Sequence, residues 1–185
     1  MYKYFLLICL AFGISTKAYA VDPFLQMGLH TGGDELVGVT FLSGSTSSID
    51  AGALFSFSGG VNIETTINSE LRLALGYKFD DITATNGSIT FDRLTLEATW
   101  FYNLDDKWSI GAGVTQHLDP TLDGTGVVSG SVSFKDATGI VAEIDYKFSS
   151  GLYLGGHFTS IDYETVNGAA TVSGDSIGLL LGWRF

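Results

Sequence analysis

The sequence predicts an all-β chain: an eight-stranded antiparallel transmembrane β-barrel, built as an up-and-down meander. Three observations carry this prediction. Apolar residues recur at every second position in segments of about ten residues, separated by turn residues. The connections alternate between short turns and longer runs of Gly, Ser, Thr and Asp. No apolar stretch approaches the roughly 18 residues that a membrane-spanning helix needs. A period of two puts alternate side chains on opposite faces of a strand, so each such segment has one apolar and one polar or small face.

The strands are read in order. Leu25, Met27 and Leu29 alternate with Gln26, Gly28 and His30, and Val37, Val39 and Phe41 extend the pattern past a bulge at Gly32-Gly33. Ile49, Ala51, Ala53, Phe55 and Phe57 alternate with Asp50, Gly52, Leu54 and Ser56; residues 59–68 after them fit no single pattern. Leu71, Leu73, Leu75, Tyr77 and Phe79 alternate with Arg72, Ala74, Gly76 and Lys78. Leu94, Leu96, Ala98, Trp100 and Tyr102 alternate with Thr95, Glu97, Thr99 and Phe101. Trp108, Ile110, Ala112 and Val114 alternate with Ser109, Gly111, Gly113 and Thr115. Ile140, Ala142, Ile144, Tyr146 and Phe148 alternate with Val141, Glu143, Asp145 and Lys147. Leu152, Leu154, Gly156 and Phe158 alternate with Tyr153, Gly155, His157 and Thr159. The last strand sets Ile177, Leu179, Leu181, Trp183 and Phe185 against Ser176, Gly178, Leu180, Gly182 and Arg184.

Short turns are expected at 103–107, 148–151 and near Asn68-Ser69, and long loops at 43–48, 80–88, 117–138 and 164–175. Short turns alternating with long loops are the layout of an outer-membrane barrel, with the turns in the periplasm and the loops outside. The competing architecture is a secreted soluble β-sandwich or lipocalin-like barrel, with its apolar face turned inward. Aromatic residues at the strand ends favour the membrane. Trp100, Tyr102, Trp108, Tyr146, Phe148, Trp183 and Phe185 all fall at the expected periplasmic rim, as an aromatic girdle does.

Composition narrows the function classes. Of 185 residues 45% are hydrophobic and 16% charged, which excludes a disordered chain. The formal charge of −11 leaves no electrostatic footprint for nucleic acid. Residues 1–20 read as a cleaved signal peptide: Lys3, then an apolar run over 4–14, then Ala18-Tyr19-Ala20. Cys9, the chain's single cysteine, follows Ile8 inside that run, which does not fit a lipidation site. The barrel domain is expected over 21–185.

The last strand resembles the C-terminal signature of Gram-negative outer-membrane proteins, carried here by Ile177, Leu179, Leu181, Trp183 and the terminal Phe185. The length and layout are similar to small eight-stranded barrels of the OmpA/OmpX type. The resemblance implies an outer-membrane location, recognition of that strand by the barrel-assembly machinery, escort by periplasmic chaperones, and contact with membrane lipids and lipopolysaccharide. A monomer is expected.

An eight-stranded barrel is filled by its own side chains or holds one small ligand. The expected inward residues are Gln26, His30, Arg72, Lys78, Glu97, Glu143, Asp145, Lys147, His157 and Arg184. Opposite charges there should pair, because an unpaired buried charge is strongly destabilising. This predicts a charged network plugging the lumen and a structural or surface-interaction role. The alternative is a narrow porin-like channel. A lipid A- or phospholipid-modifying enzyme ranks third. His157 is its best base, with Asp162 or Glu164 as the acid. However, Thr159 stands where the deacylase pattern has Ser, and Ser160 points to the other face. No cofactor is expected, and no Cys or His cluster has zinc spacing. The acidic residues of the long loops (Asp80, Asp81, Asp119, Asp123, Asp136, Asp162, Glu164 and Asp175) read as a solvated surface.

Overall fold

The computed structural model describes residues 20–40, 44–52, 54–126 and 129–185; most of the expected signal peptide lies outside them. The strands are β1 (Val21–Thr31), β2 (Glu35–Thr40), β3 (Thr46–Asp50), β4 (Leu54–Thr66), β5 (Ser69–Ala84), β6 (Gly87–Asn103) and β7 (Trp108–Gly124). They continue with β8 (Gly130–Ser133), β9 (Ala137–Lys147), β10 (Leu152–Ser160), β11 (Asp162–Glu164), β12 (Thr171–Ser173) and β13 (Ser176–Arg184).

Eight of them close into one antiparallel barrel in the order β1-β4-β5-β6-β7-β9-β10-β13, with β13 pairing back onto β1. The closing seam sets Leu25 opposite Trp183 and Leu29 opposite Leu179, and closure leaves the barrel no open edge. Both ends of the barrel domain, Val21 and Phe185, lie at one rim, where the Phe185 amide donates to the Pro23 carbonyl at 3.0 Å. The same rim carries the turns at 67–68, 104–107 and 148–151.

The opposite rim departs from the sequence expectation. The first strand ends at Thr31, because Gly32 and Gly33 adopt φ of 119° and 84° and turn the chain out of the wall. Val37 and Val39 therefore belong to a separate hairpin, β2–β3. Gly52 closes the base of that hairpin, and a Cβ there would sit 2.5 Å from the Asp175 carbonyl. The expected second strand over 49–57 is split: Ile49 lies in β3, whereas Phe55 and Phe57 lie in β4, which runs on through most of the ambiguous stretch to Thr66.

The long connections are themselves largely strand. β5 and β6 stay paired up to Ala84 opposite Gly87; β7 runs to Gly124 and pairs β8; β11 pairs β12. The physical reason is a second apolar core. Ile49, Ala51, Ile82, Ile89, Phe91, Phe134, Ala137, Ile161 and Tyr163 pack together at this rim. Their Gly-, Ser- and Asp-rich neighbours read as loop. The buried apolar residues between those neighbours give the ribbons something to fold around, which polar composition alone does not reveal.

Candidate functional site

The two faces of the barrel wall are assigned oppositely to those of a soluble protein. Leu25, Ile140 and Leu179 are at least 60% exposed on the outside, whereas Arg72 and Asp145 are at most 1% exposed within. A continuous apolar exterior of this size belongs in lipid. Ile177, Leu179, Leu181, Trp183 and Phe185 all lie on that exterior. The rim aromatics cluster there too: the Tyr146 ring stands 4.9 Å from both Trp108 and Phe148.

The interior is organised in layers. Nearest the turn rim, Arg184 donates two bonds to Glu70, at 2.9 and 2.6 Å. Lys147 lies 3.8 Å from the same carboxylate and donates to Asn103 Oδ1 at 2.7 Å. Above it, Arg72 reaches across the lumen from β5 to β9. Its Nη1 donates to Glu143 at 2.5 Å, its Nη2 to Asp145 at 2.7 Å and its Nε to Asn62 at 3.0 Å. The rings of Phe24, Phe101 and Tyr153 surround the guanidinium at 5.2, 4.3 and 4.9 Å, so apolar faces and carboxylates together replace its water. The Tyr153 hydroxyl donates to Gln26 at 2.6 Å. Gly182 makes room for Tyr153, since a Cβ at that position would overlap its ring.

A third layer encloses a small polar cavity of about 40 Å³ lined by Gln26, His30, Ser56, Lys78, Glu97 and His157, among others. His157 Nε2 lies 3.4 Å from Glu97 Oε2, and its Nδ1 lies 3.4 Å from the Thr159 hydroxyl. Thr99 donates to the other Glu97 oxygen at 2.9 Å. His30 hydrogen-bonds Ser56 at 2.8 Å and packs edge-on against His157. Lys78 donates to Ser176 at 3.1 Å. Beneath the second apolar core, His117 hydrogen-bonds the Tyr163 hydroxyl at 2.5 Å, and Arg93 donates to the Ala51 carbonyl at 2.9 Å.

The structure sets Gln26, His30, Arg72, Lys78, Glu97, Glu143, Asp145, Lys147, His157 and Arg184 on the luminal side of six different strands. Sequence reasoning missed Arg93, Asn62 and Glu70. Arg93 sits two residues before Thr95 and Glu70 two before Arg72, so extending period two by one step would have found both. Asn62 lay in the stretch without a pattern. His117, inside the expected loop 117–138, is a buried residue of β7. For the enzyme reading, the carboxylate beside His157 is Glu97 of β6; Asp162 and Glu164 lie exposed on β11. The acidic residues at the hairpin rim do more than meet solvent. Asp34 accepts from the Ser173 amide at 2.8 Å, Asp175 from the Ile161 amide at 2.9 Å and Asp136 from the Asp119 amide at 3.1 Å.

Comparison with known families matches residues 6–185 to the outer membrane protein beta-barrel domain. The chain belongs to this family. It is an outer-membrane β-barrel, seated in lipid. Among curated proteins none matches this sequence. Solved structures of similar fold include Ail, the attachment invasion locus protein of Yersinia pestis. In its complex with the heparin analogue sucrose octasulfate it is 9% identical, with a TM-score of 0.55, covering 91% of this chain and 100% of that one. Neisserial surface protein A is 7% identical, with a TM-score of 0.55 and coverage of 91% and 100%. At such identity the likeness speaks for the fold alone, and it corroborates the eight-stranded barrel.

Proposed function

We propose that this outer-membrane barrel is a non-enzymatic, monomeric surface-interaction protein whose lumen is closed by charged pairs and whose hairpin rim faces the outside. The observation that carries this reading is Arg72 bridging Glu143 and Asp145 across the lumen, with Arg184, Glu70 and Lys147 filling the layer below. Each cation there neutralises carboxylates that have no access to bulk water, so opening a path breaks buried ion pairs. A porin-like path would have to pass both layers. The catalytic reading is disfavoured by access: Thr159, His157 and Glu97 form a hydroxyl–imidazole–carboxylate line, but it faces the lumen rather than lipid.

The orientation follows from topology. Short turns and both ends of the barrel domain share one rim, which fits the periplasm, and the folded hairpins share the other. At the hairpin rim, among the described residues, Asp34, Glu35, Asp81, Asp119, Asp123, Asp136, Asp162, Glu164 and Asp175 are exposed, against a single exposed cation, Lys135, itself 2.6 Å from Glu164. A heparin-like polysulfate such as the one held by Ail would be repelled here. A basic partner is favoured, and contact with lipopolysaccharide requires divalent cations as bridges. The last strand β13 (Ser176–Arg184) with Phe185 after it, apolar on its outer face, is the segment offered to the barrel-assembly machinery. The same unburied exterior calls for periplasmic chaperones, following cleavage of the leader over residues 1–20.

The test is conductance of the refolded, heat-modifiable protein in a planar bilayer. The closed-lumen reading expects a silent membrane. Discrete, reproducible steps whose size changes in Glu97→Ala would replace it with the channel.

A further inference from the structure

We propose that the lumen holds one divalent transition-metal ion of the Zn²⁺ class between Glu97, Glu143 and His157. The inference does not depend on what the hairpin rim binds or on whether the lumen conducts. The three residues come from β6, β9 and β10, so no sequence spacing announces them, and the barrel register alone assembles them. Each offers a donor atom, and these donors all lie within 4.8 Å of one another. In a tetrahedral site with bonds of about 2.0–2.2 Å, neighbouring donors stand about 3.4 Å apart. His157 Nε2 and Glu97 Oε2 already stand 3.4 Å apart.

A second, independent observation points to a cation. Arg72 gives one guanidinium to two carboxylates, satisfying Glu143 Oε1 and Asp145 Oδ2. Glu143 Oε2 and Asp145 Oδ1 are buried, and no cation or amide donates to either. Glu143 is only 4% exposed, and a buried carboxylate oxygen without a partner is strongly destabilising. Lys78, the next cation along the lumen, turns its ammonium to Ser176. A divalent ion bound at Glu143 gives a partner to the oxygen that Arg72 does not reach.

The outer shell suits the same purpose. Thr99 holds the far oxygen of Glu97, Arg72 holds that of Glu143, and the Thr159 hydroxyl meets His157 Nδ1, leaving Nε2 for the ion. One imidazole with two carboxylates suits Zn²⁺ or a neighbouring first-row ion better than Mg²⁺ or Ca²⁺, which prefer all-oxygen cages. The layers above and below predict slow exchange.

The experiment refolds the untagged protein with Zn²⁺ present, removes free metal by dialysis and counts zinc per chain by elemental analysis, with folding checked by heat-modifiable gel mobility. About one zinc per chain is expected in the parent, at least tenfold less in Glu97→Gln and Glu143→Gln, and about one in the hairpin control Asp162→Asn. Co²⁺ loaded in place of zinc should give the intense visible absorption of a tetrahedral site, a readout on the parent that stands even where a variant fails to fold. Absence of zinc from the folded parent, equal zinc in Glu97→Gln, or only weak octahedral Co²⁺ absorption would overturn the proposal and leave water as the occupant.

Discussion

Arg72 is the residue on which the interior turns. Its guanidinium is fully buried, is held by two carboxylates and an amide, and is ringed by three aromatic faces. Arg72→Ala strands Glu143 and Asp145 together in the lumen without their counter-charge. The expected loss is about 3–5 kcal/mol of unfolding free energy, read from denaturant titration in micelles. Replacing the unit together, as Arg72→Met with Glu143→Gln and Asp145→Asn, should recover a large part of it, because the unpaired charges go with the arginine. A loss below about 1 kcal/mol for Arg72→Ala, the scale of a solvated surface pair, would contradict the burial argument.

At the scale of elements, the two rims are held by different devices. On the hairpin rim, Asp175 and Asp34 latch β11–β12 through the amides of Ile161 and Ser173. Removing the Asp175 carboxylate in Asp175→Ala frees a backbone amide, at an expected cost of about 1–3 kcal/mol to the local hairpin. The check is limited proteolysis: cutting within residues 162–175 should speed up while the barrel stays heat-modifiable. On the turn rim, the amides of Trp108 and Lys107 donate to Asp105 Oδ1 at 2.8 and 2.7 Å. These bonds hold the Asp105 carboxyl below its usual range. A depressed folded value means that the stabilisation is present above the unfolded pKa and is lost as pH falls through the folded one. Amide exchange at Lys107 and Trp108 should therefore stay protected at neutral pH and rise on acidification below the ordinary aspartate range. Asp105→Asn should flatten that response.

For the whole molecule, the governing quantity is the separation of surfaces: an apolar belt outside, a charged column inside and an acidic rim above it. The acidic rim predicts partner choice. Binding of a basic peptide to vesicle-inserted protein should weaken steeply from about 50 to 200 mM salt, as expected for screened charges about a Debye length apart. A sulfated glycan should bind little at any of these salts. Tight, salt-insensitive glycan binding would refute the charge argument.

How much of this was legible in the sequence depends on the range of the interaction responsible. Period two is local, so the regular wall strands, most of their inward residues and the girdle positions could be read directly, down to Arg72, Glu143 and Asp145, whereas β4 with its Asn62 could not. The pattern of Ile177, Leu179, Leu181, Trp183 and Phe185 is local too, and it points to the membrane without reference to packing. Other features depend on partners far along the chain. Ile49, Phe91, Phe134 and Tyr163 come from separate segments and meet only when the hairpins fold over the rim, so polar composition disguised them as loop. The pairing of Arg72 with residues more than 70 positions away, and of His157 with Glu97, is set by strand register and barrel closure. Facing toward lipid or lumen is settled within each regular wall strand, because alternation is a property of that strand alone; Ile49 and Ala51, which alternate like lipid-facing residues but are buried under the hairpins, mark where this stops. Which of the inward groups touch is settled by the closed fold, because contact across a barrel depends on how all eight strands are staggered against one another.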